Sequence, residues 1–206
     1  MLKYMLTLVV VVGGCLAADR CCFYSKFSGK LLMKSAIQVN GSDPNVFQQT
    51  VDIDYDYNRG LIKTVSRGHS LTMENVSFVS TDYSDYHHHR AYTIREDGVC
   101  ESEPLMETQN TPCIPDGFTS TLSAVIGTPP NSMKLTYWAG TLNGAHVTYS
   151  VTDDCTPVTM EVVGGNADTR YLNTYIFADI KPDMLSSDNA LDLPTACTHA
   201  GPPVGK

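Results

Sequence analysis

Val51-Asp52-Ile53-Asp54-Tyr55-Asp56-Tyr57 alternates apolar and carboxylate residues with a period of two, and similar alternation recurs along most of the chain. A helix would scatter these residues around its circumference. An extended strand gathers the apolar set on one side and the acids on the other. Asn58-Arg59-Gly60 supplies turn chemistry, so residues 61–65 are expected to return as a hairpin partner. Further strands are expected at 31–39, 71–79, 90–95, 118–126, 133–138, 146–151, 157–163 and 170–180, with Thr141-Leu142-Asn143-Gly144 as a hairpin loop. Only residues 182–190 suit a short helix. About ten short strands at this spacing predict an all-β, mainly antiparallel sandwich or partial barrel.

The N-terminus and the cysteines place the chain in one compartment. Lys3, apolar residues 4–12 and the small residues Gly13-Gly14-Cys15-Leu16-Ala17-Ala18 predict a signal peptide over 1–17, cleaved at Ala17 or Ala18. The run is shorter than the roughly 20 residues of a membrane span, and no later segment is apolar enough for one. A lipid-bearing Cys15 is the alternative, but cleavage fits the cysteine count better. Of seven cysteines, Cys15 leaves, and Cys21, Cys22, Cys100, Cys113, Cys155 and Cys197 remain. An even set in an oxidising compartment predicts disulfides, with the pairing open. Asn40-Gly41-Ser42 and Asn75-Val76-Ser77 are glycosylation sequons, which makes Asn40 and Asn75 candidate surface sites. The expected locations are extracellular or lysosomal.

Residues 18–200 carry no repeat, linker or break in composition and are expected to form one domain, with 201–206 a disordered tail. Net charge moves from −8 to −9 when Lys3 is lost (−8 minus +1). With no basic patch, such a chain is a poor match for nucleic acid or an anionic membrane.

The candidate chemistry is sparse. Asp52, Asp54 and Asp56, followed by Asn58 and Gly60, form a candidate surface calcium site. They do not form an EF-hand, because Tyr57 and Lys63 stand where its loop needs Gly and a bidentate Glu. The favoured reading is the solvent face of a strand. His87 and His89 of His87-His88-His89 would share a strand face and could bind zinc or copper. Gly68-His69-Ser70-Leu71-Thr72 lacks the final Gly of a nucleophile elbow. Cys155 follows Asp153 and Asp154, whose charges would raise a thiol pKa, so it reads as a disulfide partner rather than a nucleophile. No catalytic constellation and no cofactor motif emerges, and the chain is expected not to be an enzyme.

Several motifs in order resemble the ependymin family of secreted glycoproteins. They are Phe27-Ser28-Gly29 after Cys21-Cys22, Tyr55-Asp56 with Asn58-Arg59, and Tyr137-Trp138-Ala139-Gly140. Asp154-Cys155-Thr156-Pro157-Val158, Phe177-Ala178-Asp179-Ile180 and Pro194-Thr195-Ala196-Cys197 complete the series. The resemblance implies two stacked curved antiparallel sheets around an apolar pocket, similar to bacterial lipoprotein carriers. It implies a non-enzymatic, often dimeric binder of a hydrophobic or lipid-like ligand, associated with calcium and with cell–matrix adhesion. It also implies Cys21 or Cys22 paired with Cys155, Cys100 with Cys197, and the remaining N-terminal cysteine with Cys113. The pocket lining expected on this basis is Val51, Ile53, Tyr55 and Tyr57 facing Leu135, Tyr137, Val147, Tyr149, Met160 and Val162.

Overall fold

The computed structural model describes residues 21–198; the expected leader and the tail lie outside the described residues. The strands are β1 (Lys26–Val39), β2 (Asn45–Asp56), β3 (Leu61–Ser70), β4 (Ser77–Asp85), β5 (Arg90–Arg95) and β6 (Cys100–Pro104). They continue as β7 (Thr119–Ile126), β8 (Met133–Leu142), β9 (Ala145–Thr152), β10 (Pro157–Gly165) and β11 (Thr169–Pro182). All eleven lie in one sheet, in the order β6-β5-β4-β3-β2-β1-β11-β10-β9-β8-β7. Every neighbouring pair is antiparallel.

The all-β antiparallel architecture agrees with the alternation in the sequence. The two expected layers are two wings of a single continuous sheet. The first and last strands, β1 and β11, pair at its centre along twelve register positions. Successive hairpins then extend the sheet on either side, which needs only short local connections. The exception is residues 105–118, which must carry the chain from the β6 edge to the β7 edge.

Two expected elements differ and one strand was not expected. Residues 71–76 form a turn, and β4 starts at Ser77. Ser70 Oγ accepts from the backbone N–H groups of Thr72 and Met73, which closes a local turn, and Asn75 has φ 59°. β6 escaped the alternation because Glu101, Glu103 and Pro104 dominate its composition. The helix expected over 182–190 does not form. Pro182 ends β11, and the N–H and Oγ of Ser186 donate to the Asp54 carboxylate at 2.6 and 2.7 Å.

Cross-strand partners share a face, so the register assigns every side chain. One face carries the row Gln49, Met33, Tyr175, Met160, Tyr149 and Trp138. A parallel row holds Phe47, Ser35, Asn173, Val162, Val147 and Gly140. On β1, β2 and β11 these residues are buried or half-buried, while Leu32, Leu172 and Ile176 on the other face are 44%, 43% and 45% exposed. This shielded side of the central strands is termed the inner face, and the opposite side the outer face.

Two cores form, on opposite faces. On the inner face of the β8–β10 wing, Cys21, Ile114, Phe118, Val147 and Val151 make a buried cluster, with Trp138, Tyr149, Met160 and Val162 packed against it. The cover comes from residues 21–23 and 112–118, joined by the bond from Ile114 N to Cys21 O at 2.9 Å. Gly140 makes room for Phe118, since a Cβ there would lie 2.5 Å from the ring. On the outer face of the β2–β5 wing, the C-terminal segment brings buried Ala190 and Leu191 over buried Tyr83 and the Asp54 carboxylate.

Candidate functional site

The inner face forms where alternating strands align their apolar positions. Val51, Ile53 and Tyr55 of β2 lie on it, as do Val147 and Tyr149 of β9 and Met160 and Val162 of β10. Tyr57 falls beyond the end of β2, in the turn. Leu135 and Tyr137 lie on the opposite face, because they pair with Thr152 and Ser150 while Val147 and Tyr149 oppose Gly140 and Trp138. The structure adds Leu31, Met33, Phe47, Trp138, Tyr171, Tyr175 and Phe177, whose alternation places them beside the expected set.

The face is filled unevenly. Over β8–β10 it lies beneath the chain's own Ile114 and Phe118. Phe23 and Phe118 both contact Tyr149, with ring centroids 5.8 and 5.7 Å away. Over β1, β2 and β11, the residues Leu31, Met33, Phe47, Tyr171, Tyr175 and Phe177 remain half-buried and outside that cluster. Polar groups here are satisfied locally, with Ser35 Oγ donating to Asn173 Oδ1 at 2.6 Å. Burial raises the pKa values of Tyr149 and Tyr175. Tyr55, stacked on Phe27 at 5.1 Å, is pushed up to about 12, chiefly by burial and then by Tyr57, Tyr86 and Asp56. These phenols keep their protons at neutral pH and act as neutral amphipathic surface.

The three candidate calcium ligands occupy the outer face, and each is engaged by the chain itself. Asp52 pairs with Arg67 at 2.8 Å, Asp54 holds Ser186, and Asp56 accepts from the N–H of Arg59 at 3.1 Å. The reading of this face as open to solvent is corrected, because Asp54 and Asp56 are 6% and 7% exposed. His87, His88 and His89 form an exposed turn between β4 and β5, so His87 and His89 do not share a strand face. His88 Nδ1 lies 2.7 Å from Asp85, and His87 packs against Gly60. Among the described residues no group of three or more His, Cys, Asp or Glu side chains comes together as a metal site. Ser70 of the incomplete elbow is the last residue of β3, and its hydroxyl closes the turn that follows.

The disulfides are Cys21–Cys155, Cys22–Cys113 and Cys100–Cys197. Cys155 sits in the β9–β10 turn with φ 65°, where its N–H donates to Thr152 O at 3.0 Å. Thr152 Oγ1 donates to Asp154 and holds its carboxyl below the usual range. Asn40 and Asn75 are exposed in the loops after β1 and β3, both at φ between 50° and 60°. Outside the inner face, a cleft of about 360 Å³ opens on the outer side between Leu61, Tyr83, Tyr92 and the overlying Leu191 and Leu193.

No family model and no curated protein matches the chain. Among solved structures, the chain is similar to the S-type phycobiliprotein lyase CPES from Guillardia theta. That match has a TM-score of 0.30 and 10% identity, covering 74% of this chain and 89% of the other. A second is the Pseudomonas aeruginosa MucA/MucB complex, at TM-score 0.16 and 10% identity, covering 77% of this chain and 94% of that one. Both scores are too low to bear on function. No helix among the described residues is long and apolar enough to cross a membrane.

Proposed function

We propose that the protein is a secreted, non-catalytic glycoprotein of ependymin-like type that holds a hydrophobic ligand on the inner face of its sheet. The observation that carries the reading is the half-buried centre of that face, which lies outside the buried cluster. Leu31, Met33, Phe47, Tyr171, Tyr175 and Phe177 form an apolar and aromatic floor between the two covered wings. Removing such surface from water stabilises by roughly 25 cal/mol per Å², and an apolar wall with few polar groups is what ligand sites commonly provide. The ependymin resemblance is supported by the cysteine pairing it implies, which is the pairing present. Those disulfides and the exposed sequons support secretion.

The test is native mass spectrometry of protein purified from a eukaryotic secretory host, followed by organic extraction and by uptake of a fluorescent fatty ester. The expected outcome is a co-purifying apolar molecule and saturable uptake that Met33→Lys and Tyr175→Lys abolish. A ligand-free protein that takes up no probe contradicts the proposal.

A further inference from the structure

The inner face leaves the outer-side cleft of about 360 Å³ without a role. Register builds the floor of that cleft, because Tyr83 of β4 stands between Lys63 of β3 and Tyr92 of β5. The roof is irregular chain tied at both ends. Ser186 donates to the Asp54 carboxylate at 2.6 and 2.7 Å, and Cys197 is bonded to Cys100. Between these anchors Leu191 is 4% exposed, and it lines the cleft together with Leu193. A roof held in this way keeps its shape without a ligand, which lowers the ordering cost of binding one.

The packing leaves one polar group free. Tyr83 is 8% exposed, yet its hydroxyl makes no hydrogen bond among the described residues. Lys63 Nζ sits over the ring, 5.7 Å from its centroid. Burial raises the pKa of the phenol, with Asp54 and Asp192 adding to the effect, so it stays a donor at neutral pH. Donors this deep are normally paired. A free one on the apolar wall of a cleft is placed to anchor a ligand.

The charged groups around the cleft are Arg59, Lys63, Arg90, Asp54, Asp85 and Asp192. Asp54 is held by Ser186, Asp85 lies 2.7 Å from His88 Nδ1, and Arg90 donates to Ser102 Oγ at 2.8 Å. Arg59, Lys63 and Asp192 remain and are of both signs. Neither an anion nor a cation is favoured, and either would lose its water beneath Leu191. The volume of the cleft stands near the lower end of the roughly 300–1,000 Å³ usual for ligand sites, which suits a ring system better than a long acyl chain.

We infer that this cleft is a second binding site, separate from the inner face. Its ligand is a compact, uncharged ring molecule with one oxygen that accepts the hydrogen bond of Tyr83, such as a phenol, a ring alcohol or a cyclic ketone.

The experiment is equilibrium dialysis of the intact protein at neutral pH against 2-naphthol and against 2-methylnaphthalene, which keeps the ring system and lacks the oxygen. Both are expected to bind, 2-naphthol about fivefold more tightly for its one hydrogen bond. Tyr83→Phe, which removes only the hydroxyl, is expected to bring the two within about twofold by weakening 2-naphthol alone. Leu193→Trp, which fills the cleft, is expected to weaken both by tenfold or more while uptake of a fluorescent fatty ester stays unchanged. Far-UV circular dichroism checks that each variant is folded. Binding of neither probe overturns the cleft site and leaves the inner-face reading standing. A 2-naphthol preference that persists in Tyr83→Phe overturns the anchor. Loss of both probes in Met33→Lys but not in Leu193→Trp moves them to the inner face and overturns the second site.

Discussion

Strands β8 to β10 bury the inner face of the sheet beneath residues 21–23 and 112–118, whereas β2 to β5 bury the outer face beneath the C-terminal segment. One sheet thus supports two cores, and each is covered by irregular chain instead of a second sheet. Cys21–Cys155 and Cys22–Cys113 pin the first cover, and Cys100–Cys197 pins the second. Which face of a strand is buried is therefore decided by which free segment can reach it. Between the wings the apolar residues on the inner face of β1 and β11 stay half-buried and outside the first core, and that floor is what the proposed function uses.

The comparison can be broken by disturbing one core and watching the other. Phe118→Ala removes an aromatic ring from the inner cluster, and a loss of about 3–5 kcal/mol is expected from chemical denaturation. Leu32→Ala on the exposed outer face should stay within about 0.5 kcal/mol. Similar losses would mean that the two faces are not distinct. Replacing Cys100 and Cys197 together by Ser should cost about 2–5 kcal/mol. Hydrogen exchange should then rise in β3–β6 and residues 183–197, with β8–β10 still protected. A uniform rise would show that the covers are not independent.

Asp54→Ala leaves the N–H and hydroxyl of Ser186 without their acceptor, and a loss of about 1–3 kcal/mol is expected. Limited proteolysis should cut first between residues 183 and 193. Unchanged proteolysis would mean that the disulfide alone holds the segment.

The smallest effect is a pH dependence. The folded-state pKa of Tyr55 is raised from 10.0 to about 12, so folding favours the protonated phenol. Its contribution to stability is complete below pH 10 and is lost as pH rises from 10 towards 12. Ultraviolet difference spectra should show a late-titrating tyrosine that Tyr55→Phe removes. A phenol at this position titrating near 10 would remove the burial on which this end of the inner face depends.

Much of the fold was legible in the sequence because period-two alternation reports strands directly. Residues 90–95 are an example, observed as β5. Face assignment was harder. Leu135 and Tyr137 share a face with each other, yet alternation alone does not say which face of β9 they meet. The answer lies in Asn143-Gly144, whose φ values of 50° and 81° make a two-residue hairpin loop. That loop sets Leu142 against Ala145 and hence Tyr137 against Ser150. A one-residue change in the assumed register reverses the face.

Asp54 was illegible for another reason. Acids in a strand usually face water, and the Ser186 that receives this one lies 132 residues away with no local signal.

The most direct test of the account is photocrosslinking with a fatty ester that carries a diazirine midway along its chain, followed by peptide mass spectrometry. Labelling is predicted on the inner-face peptides containing Met33, Phe47 and Tyr175. Labelling confined to Tyr83, Tyr92, Leu191 and Leu193, in the cleft beneath the C-terminal segment, would place the ligand on the opposite face and contradict the account.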